Sequence, residues 1–213
     1  MILKNLAAIC RAHKRIYLYD GGPTGAQWVG DGNAFYPLHG LPKMDKENIL
    51  NVFDVPEKKR NKFSITYDYW LPETLDFGDI ARDRETMLRP EEISIGYMGA
   101  VLYPVKTSLG LAFYNPVYLK PLEDKLPKIE LYERTMPGGS IYFAAKAGTF
   151  LEAIIMPEDV CEENLLQKLQ DLTAELKTTV RYDGEDEMRE EEEEDLLTPN
   201  VLAVDPETGE VLE

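Results

Sequence analysis

Apolar positions at the start of the chain fall at Leu3, Leu6, Ala7, Ile9 and Cys10, with Lys4, Asn5, Ala8 and Arg11 between them. That is the spacing of a short amphipathic helix, and it ends in basic residues, Lys14 and Arg15. The pattern then changes to β-branched and aromatic runs. Residues 15–20 predict a strand, Gly21-Gly22-Pro23 a turn, and 27–30 and 33–38 two further strands joined by Asp31-Gly32 as a tight hairpin. Asp45 precedes a second short helix over 46–53 as its N-cap. The basic turn Lys58-Lys59-Arg60-Asn61-Lys62 leads into an aromatic strand over 63–71. Residues 72–91 are polar, rich in Asp and Arg and weakly periodic, which marks a boundary there.

Beyond that point the pattern begins again. Residues 93–105 and 108–114 are strand-like, Pro116 opens a short helix to 126, and 128–134 alternates as a strand. Residues 141–146 pair across Ala147-Gly148 with 149–156, and Pro157, Glu158 and Asp159 open a last helix reaching about residue 177. Leu165, Leu166, Leu169, Leu172 and Leu176 form its stripe. The expected class is α+β, with two repeated domains of short helices packed on antiparallel sheets, at 1–80 and 92–180. The second carries the added helix, and residues 181–213 form an acidic tail.

Charge changes this picture through its placement. The 213 residues hold 39 Asp and Glu against 23 Lys and Arg, a net −16, yet residues 181–213 alone carry 14 acidic and 2 basic side chains. The first 180 residues are therefore nearly balanced, at −4, and can concentrate Lys and Arg on one face. The six consecutive carboxylates of 190–195 repel one another and stay solvated. They serve as a solubilising tail, or as a competitor with DNA phosphates for the basic face. Hydrophobic residues make up 44%, enough for a packed core, and no apolar run approaches the roughly 20 residues that span a bilayer. A cytoplasmic, non-membrane protein is expected, and Cys10 and Cys161 fit a reducing compartment.

Candidate chemistry is sparse. His13 and His39 are the only histidines, and neither has a nucleophile or carboxylate at catalytic spacing. Gly-Gly-Pro-Thr-Gly at 21–25 and Gly-Asp-Gly at 30–32 lack the helix and Lys-Ser/Thr of a phosphate loop. Asp20 and Asp31 are the sole candidate metal pair, and both adjoin glycine turns where Asp is favoured by local hydrogen bonding. No catalytic residue, metal site or cofactor is expected.

The stretch Leu111-Ala-Phe-Tyr-Asn-Pro-Val-Tyr-Leu-Lys-Pro-Leu122, followed by strand 128–133, Gly148 and Ile154-Ile155-Met156-Pro157, resembles the last domain of bacterial DNA sliding clamps. The order is shared: a Phe-bearing strand, a small polar residue, Tyr-Leu opening a short helix, a strand, a glycine turn, and a closing strand ending in an aliphatic pair and Met-Pro. The resemblance covers about 50 residues and implies a compact, phage- or prophage-encoded relative acting in replication. It implies a non-enzymatic processivity factor on duplex DNA, a homo-oligomeric ring with a trimer favoured, and a DNA polymerase or other DNA enzyme recruited through a peptide motif. Sliding needs cations that meet phosphates without reading bases. Lys4, Arg11, Lys14 and Arg15 are the first candidates, with Lys58, Lys59, Arg60, Lys62 and Lys120 beside them. The family's partner-peptide pocket carries over to Ile154, Met156 and Pro157. The competing expectation is an acidic phage interaction module that mimics DNA, for which carboxylates would have to spread over a rigid face rather than one tail.

Overall fold

The computed structural model describes residues 1–21, 25–158, 160, 171, 173 and 174. Helix α1 (Leu3–His13) buries Leu6, Ala7, Ile9 and Cys10, and stops at Lys14, whose φ of 53° lies in the left-handed region. That bend launches β1 (Arg15–Tyr19), which pairs antiparallel with β2 (Trp28–Gly30), and β2 pairs with β3 (Ala34–Pro37). The predicted Asp-Gly hairpin forms because Asp31 Oδ1 accepts from the amides of Asn33 and Ala34 at 3.0 and 2.9 Å. A Cβ at Gly30 would lie 1.8 Å from the Ala34 carbonyl oxygen, so only glycine fits there.

Helix α2 (Lys46–Val52) is capped as expected, Asp45 Oδ1 accepting from the Asn48 amide at 2.8 Å. The basic turn is the one-turn helix α3 (Glu57–Arg60), and β4 (Ser64–Asp68) follows, parallel to β1. Then come β5 (Thr86–Leu88), β6 (Ile95–Tyr97), β7 (Ala100–Thr107) and β8 (Gly110–Tyr114). The expected helix from Pro116 is 3₁₀ in form, η1 (Pro116–Leu122), since Pro121 inside it removes a donor. A second 3₁₀ turn, η2 (Leu126–Lys128), leads to β9 (Ile129–Thr135), β10 (Ile141–Ala147) and β11 (Phe150–Ile155).

The protein is α+β, with one eight-stranded mixed sheet in the order β4-β1-β2-β3-β11-β10-β9-β5 and a three-stranded sheet β6-β7-β8. Two units of one helix and three strands, α1-β1-β2-β3 and η1-β9-β10-β11, meet at the antiparallel β3–β11 pair, where Phe35 faces Ile154. Strands from both halves share the sheet, and Met1–Val160 forms one unit. No described helix is long and apolar enough to cross a membrane.

Alternation along the strands sorts the core into two layers. Ile16, Leu18, Val29, Ala34, Tyr36, Phe143 and Ile155 face the helices, while Tyr19, Trp28, Phe35, Tyr142 and Ile154 face the other way. The helix layer is tied across the two units, the Ile2 amide donating to the Pro121 carbonyl at 2.6 Å and Tyr36 Oη to that of Tyr118 at 2.6 Å. The outer layer is closed by residues 71–85, which overlap the boundary expected at 72–91. Leu75 and Phe77 are buried there, Phe77 meeting Trp28 edge to face at 4.9 Å. Beyond β11, Glu158 bridges to Phe113 instead of opening a helix. Within residues 161–213, Asp171, Thr173 and Ala174 are helical, and the rest of 161–177 and the 181–213 tail lie outside the described residues.

The cover is pinned by charge. Arg134, 2% exposed, donates through Nε to Glu85 Oε2 at 3.0 Å and through Nη1 to the carbonyls of Asp76 and Gly78 at 3.0 and 2.8 Å. Lys146 Nζ meets Glu85 Oε1 at 2.6 Å. Burial pushes the Glu85 carboxyl up, but hydrogen bonds from Lys146 and Arg134 outweigh it and hold the group below its ordinary 4.5. A carboxyl depressed in the fold stabilises above its unfolded value and loses that contribution as pH falls through the folded one. Glu85→Gln is therefore expected to lower stability at neutral pH by about 2 kcal/mol and to flatten the acid side of the urea midpoint measured against pH. An unchanged midpoint would contradict the pin.

Candidate nucleic-acid interface

Two segments distant in sequence supply one basic groove. The C-terminal end of α1 gives Arg11 and Lys14, and the stretch around α3 gives Val55, Pro56, Lys59, Lys62 and Phe63, together enclosing about 200 Å³. Backbone pairing brings them together: the Ser64 amide donates to the Lys14 carbonyl at 2.9 Å, at the start of the parallel β1–β4 ladder. Arg11 Nη1 adds a bond to the Phe53 carbonyl at 3.0 Å. The left-handed φ at Lys14 ends α1 at the groove, and the amides of Lys62 and Phe63 donate back to Lys59 and Arg60 at 3.0 Å to close the turn.

Among the described residues, Lys14, Lys59 and Lys62 form no ion pair. Like charges gathered without ion-pair partners raise the local potential and favour anions from solution, although Asp54 and Glu57 stand in the same stretch. Arg60 differs from its neighbours. Its guanidinium bonds Glu47 at 2.8 Å, the Val55 carbonyl at 3.2 Å and Asn51, so it shapes the turn rather than facing outward freely.

The other expected cations lie apart from the groove lining. Arg15 opens β1 and Lys58 stands on α3, both exposed. Lys4 on α1 and Lys120 on η1 are exposed on adjoining elements, Asn5 Nδ2 donating to the Lys120 carbonyl at 2.8 Å. Glu123 and Asp124 follow η1 and dilute the charge there. Of the partner-peptide residues, Ile154 is fully buried in the outer core layer, while Met156 and Pro157 are half-buried. The apolar floor of the groove went unread in sequence, although Val55-Pro56 and Phe63 flank the Lys58–Lys62 run directly. Also unread were Tyr69 and Trp70, which follow β4 at 67% and 80% exposure.

The titratable groups elsewhere serve the fold. Asp31, buried, pairs with His13 and with its own hairpin amides, and burial together with Asp31 pushes the Cys10 thiol far up, out of nucleophilic range. Asp20 is paired with Lys43 at 2.8 Å, and the β1–β2 register puts Asp20 and Asp31 at opposite ends of that ladder. Among the described residues no group of three or more His, Cys, Asp or Glu is placed to hold a metal. Compared with protein-family models, with curated proteins and with solved structures, the chain gives no match.

Proposed function

We propose that this chain tethers a DNA enzyme to duplex DNA in the manner of a sliding clamp, meeting phosphates without reading bases and catalysing no reaction itself. One observation carries the reading: Arg11, Lys14, Lys59 and Lys62, drawn from two segments, ring a single groove. Phosphate contacts of this kind supply affinity that is independent of sequence and permits sliding. The element order of the second half supports the resemblance. Phe113 is on β8, Asn115 Oδ1 caps η1 by accepting from the Val117 amide, Tyr118-Leu119 sit in η1, and β11 closes with Ile154-Ile155. Two helix-and-three-strand units per chain keep the trimer as the favoured ring. The recruited polymerase or other DNA enzyme docks near Met156 and Pro157, since the burial of Ile154 leaves these two as the reachable part of that site.

Lys14→Asn, Lys59→Ala and Lys62→Ala together are expected to lower the slope of log affinity against log salt for a duplex by about three. Asparagine is chosen at 14 because it tolerates the left-handed backbone there. The same replacements at exposed lysines should move stability by no more than about 0.5 kcal/mol each, and an unchanged slope would remove the groove from the DNA face. Light scattering at several concentrations tests the ring: a mass of three chains is expected, and a monomer throughout would contradict closure.

A further inference from the structure

The groove joins a cationic rim, Arg11, Lys14, Lys59 and Lys62, to an apolar floor of Val55, Pro56 and Phe63. A paired duplex keeps its bases stacked inside and presents phosphates outward, so it meets the rim and leaves the floor wet. Val55 is buried and Phe63 half-buried against the main core layer, which fixes the ring in place. About 200 Å³ is below the roughly 300 Å³ at which pockets for drug-sized ligands begin. It is room for one flat ring system with its charges left outside.

We propose that the groove takes an unpaired nucleotide of single-stranded DNA, its base against Phe63 and Pro56 and its flanking phosphates on Arg11, Lys14, Lys59 and Lys62. The inference rests on the reading that this face meets DNA, and it adds the form of DNA preferred. Aromatic stacking within a basic groove is a sequence-tolerant way to hold single strands, because every base has a flat face. An acidic peptide with one apolar anchor shares the charge complementarity. The strand is favoured because its charges flank each base on both sides, and the rim cations come from two segments, α1 and the turn around α3. A tether built this way grips where paired DNA gives way to an unpaired strand, the place at which polymerases and nucleases act.

Fluorescence anisotropy of the full chain with labelled oligothymidylate and with a duplex of equal length, in matched salt, tests this. Phe63→Leu keeps the apolar volume and removes the ring. It is expected to weaken oligothymidylate binding about tenfold and to leave duplex binding within about twofold, whereas Phe63→Trp keeps both. Equal loss for the two DNA forms, or no loss for either, would overturn the proposal while leaving the duplex-tether reading intact. Tighter binding of a glutamate-rich peptide centred on leucine than of oligothymidylate would also overturn it. A chain that binds neither DNA form contradicts the tether reading as well. Crosslinking of bromodeoxyuridine-substituted oligonucleotide gives a check that does not depend on the variants: the crosslink belongs on residues 55–63, and its placement elsewhere would overturn the proposal.

Discussion

Antiparallel pairing of Ala34 and Phe35 with Ile155 and Ile154 joins the two halves of the chain, and the Met156 amide extends it by donating to the Asn33 carbonyl at 2.7 Å. This register sends Ala34 and Ile155 to the helix side and Phe35 and Ile154 to the outer side. A slip of one residue would exchange the two sets and expose each to the wrong layer. The same pairing brings α1 beside η1, where backbone bonds from Ile2 and the Asn5 side chain to Pro121 and Lys120 hold the helical layer together. The helical layer on that side is held through this central join, and the β1–β4 ladder then sets the cationic end of α1 beside α3.

The two faces of the sheet handle charge differently. On the outer side, Glu85 is shared by Arg134 and Lys146, and the backbone of 76–79 fills the remaining donors of Arg134. These buried cations are compensated, and breaking the set leaves an unpaired charge in the core. At the groove, Lys14, Lys59 and Lys62 are exposed and lack such partners among the described residues. A nearly balanced body thus uses pairing to fix a cover on one face and leaves Lys14, Lys59 and Lys62 without an ion pair at the groove, beside the paired Arg60. Under the proposed tether reading, that asymmetry would let the chain hold its own fold firmly while meeting a mobile polyanion loosely.

Local pattern carried much of the fold. The 3.6-residue spacing of Leu6, Ile9 and Cys10 showed α1, Asp31-Gly32 showed the β2–β3 hairpin, and Asp45 showed the start of α2. The cover over 71–85 was hidden because Leu75 and Phe77 are isolated among polar residues, and what secures it lies 49 to 66 residues onward, at Arg134, Tyr142 and Lys146. The split of one expected strand into β6 and β7 was hidden too. Its turn uses Met98 at φ 48° and Gly99 at φ 83°, without the Asn-Gly signature. At the site, the cations were legible one by one. Their meeting depends on Arg15 pairing parallel with Ser64, a long-range match that no local spacing encodes.

Lysine acylation footprinting, with and without saturating DNA, tests the central claim most directly, because it reads each amine separately in the intact chain. DNA is expected to protect Lys14, Lys59 and Lys62, while Lys106, paired with Glu91 at 2.8 Å, reacts equally in both states. Protection confined to lysines outside the groove, with Lys14, Lys59 and Lys62 reacting at the same rate in the presence of DNA, would contradict it.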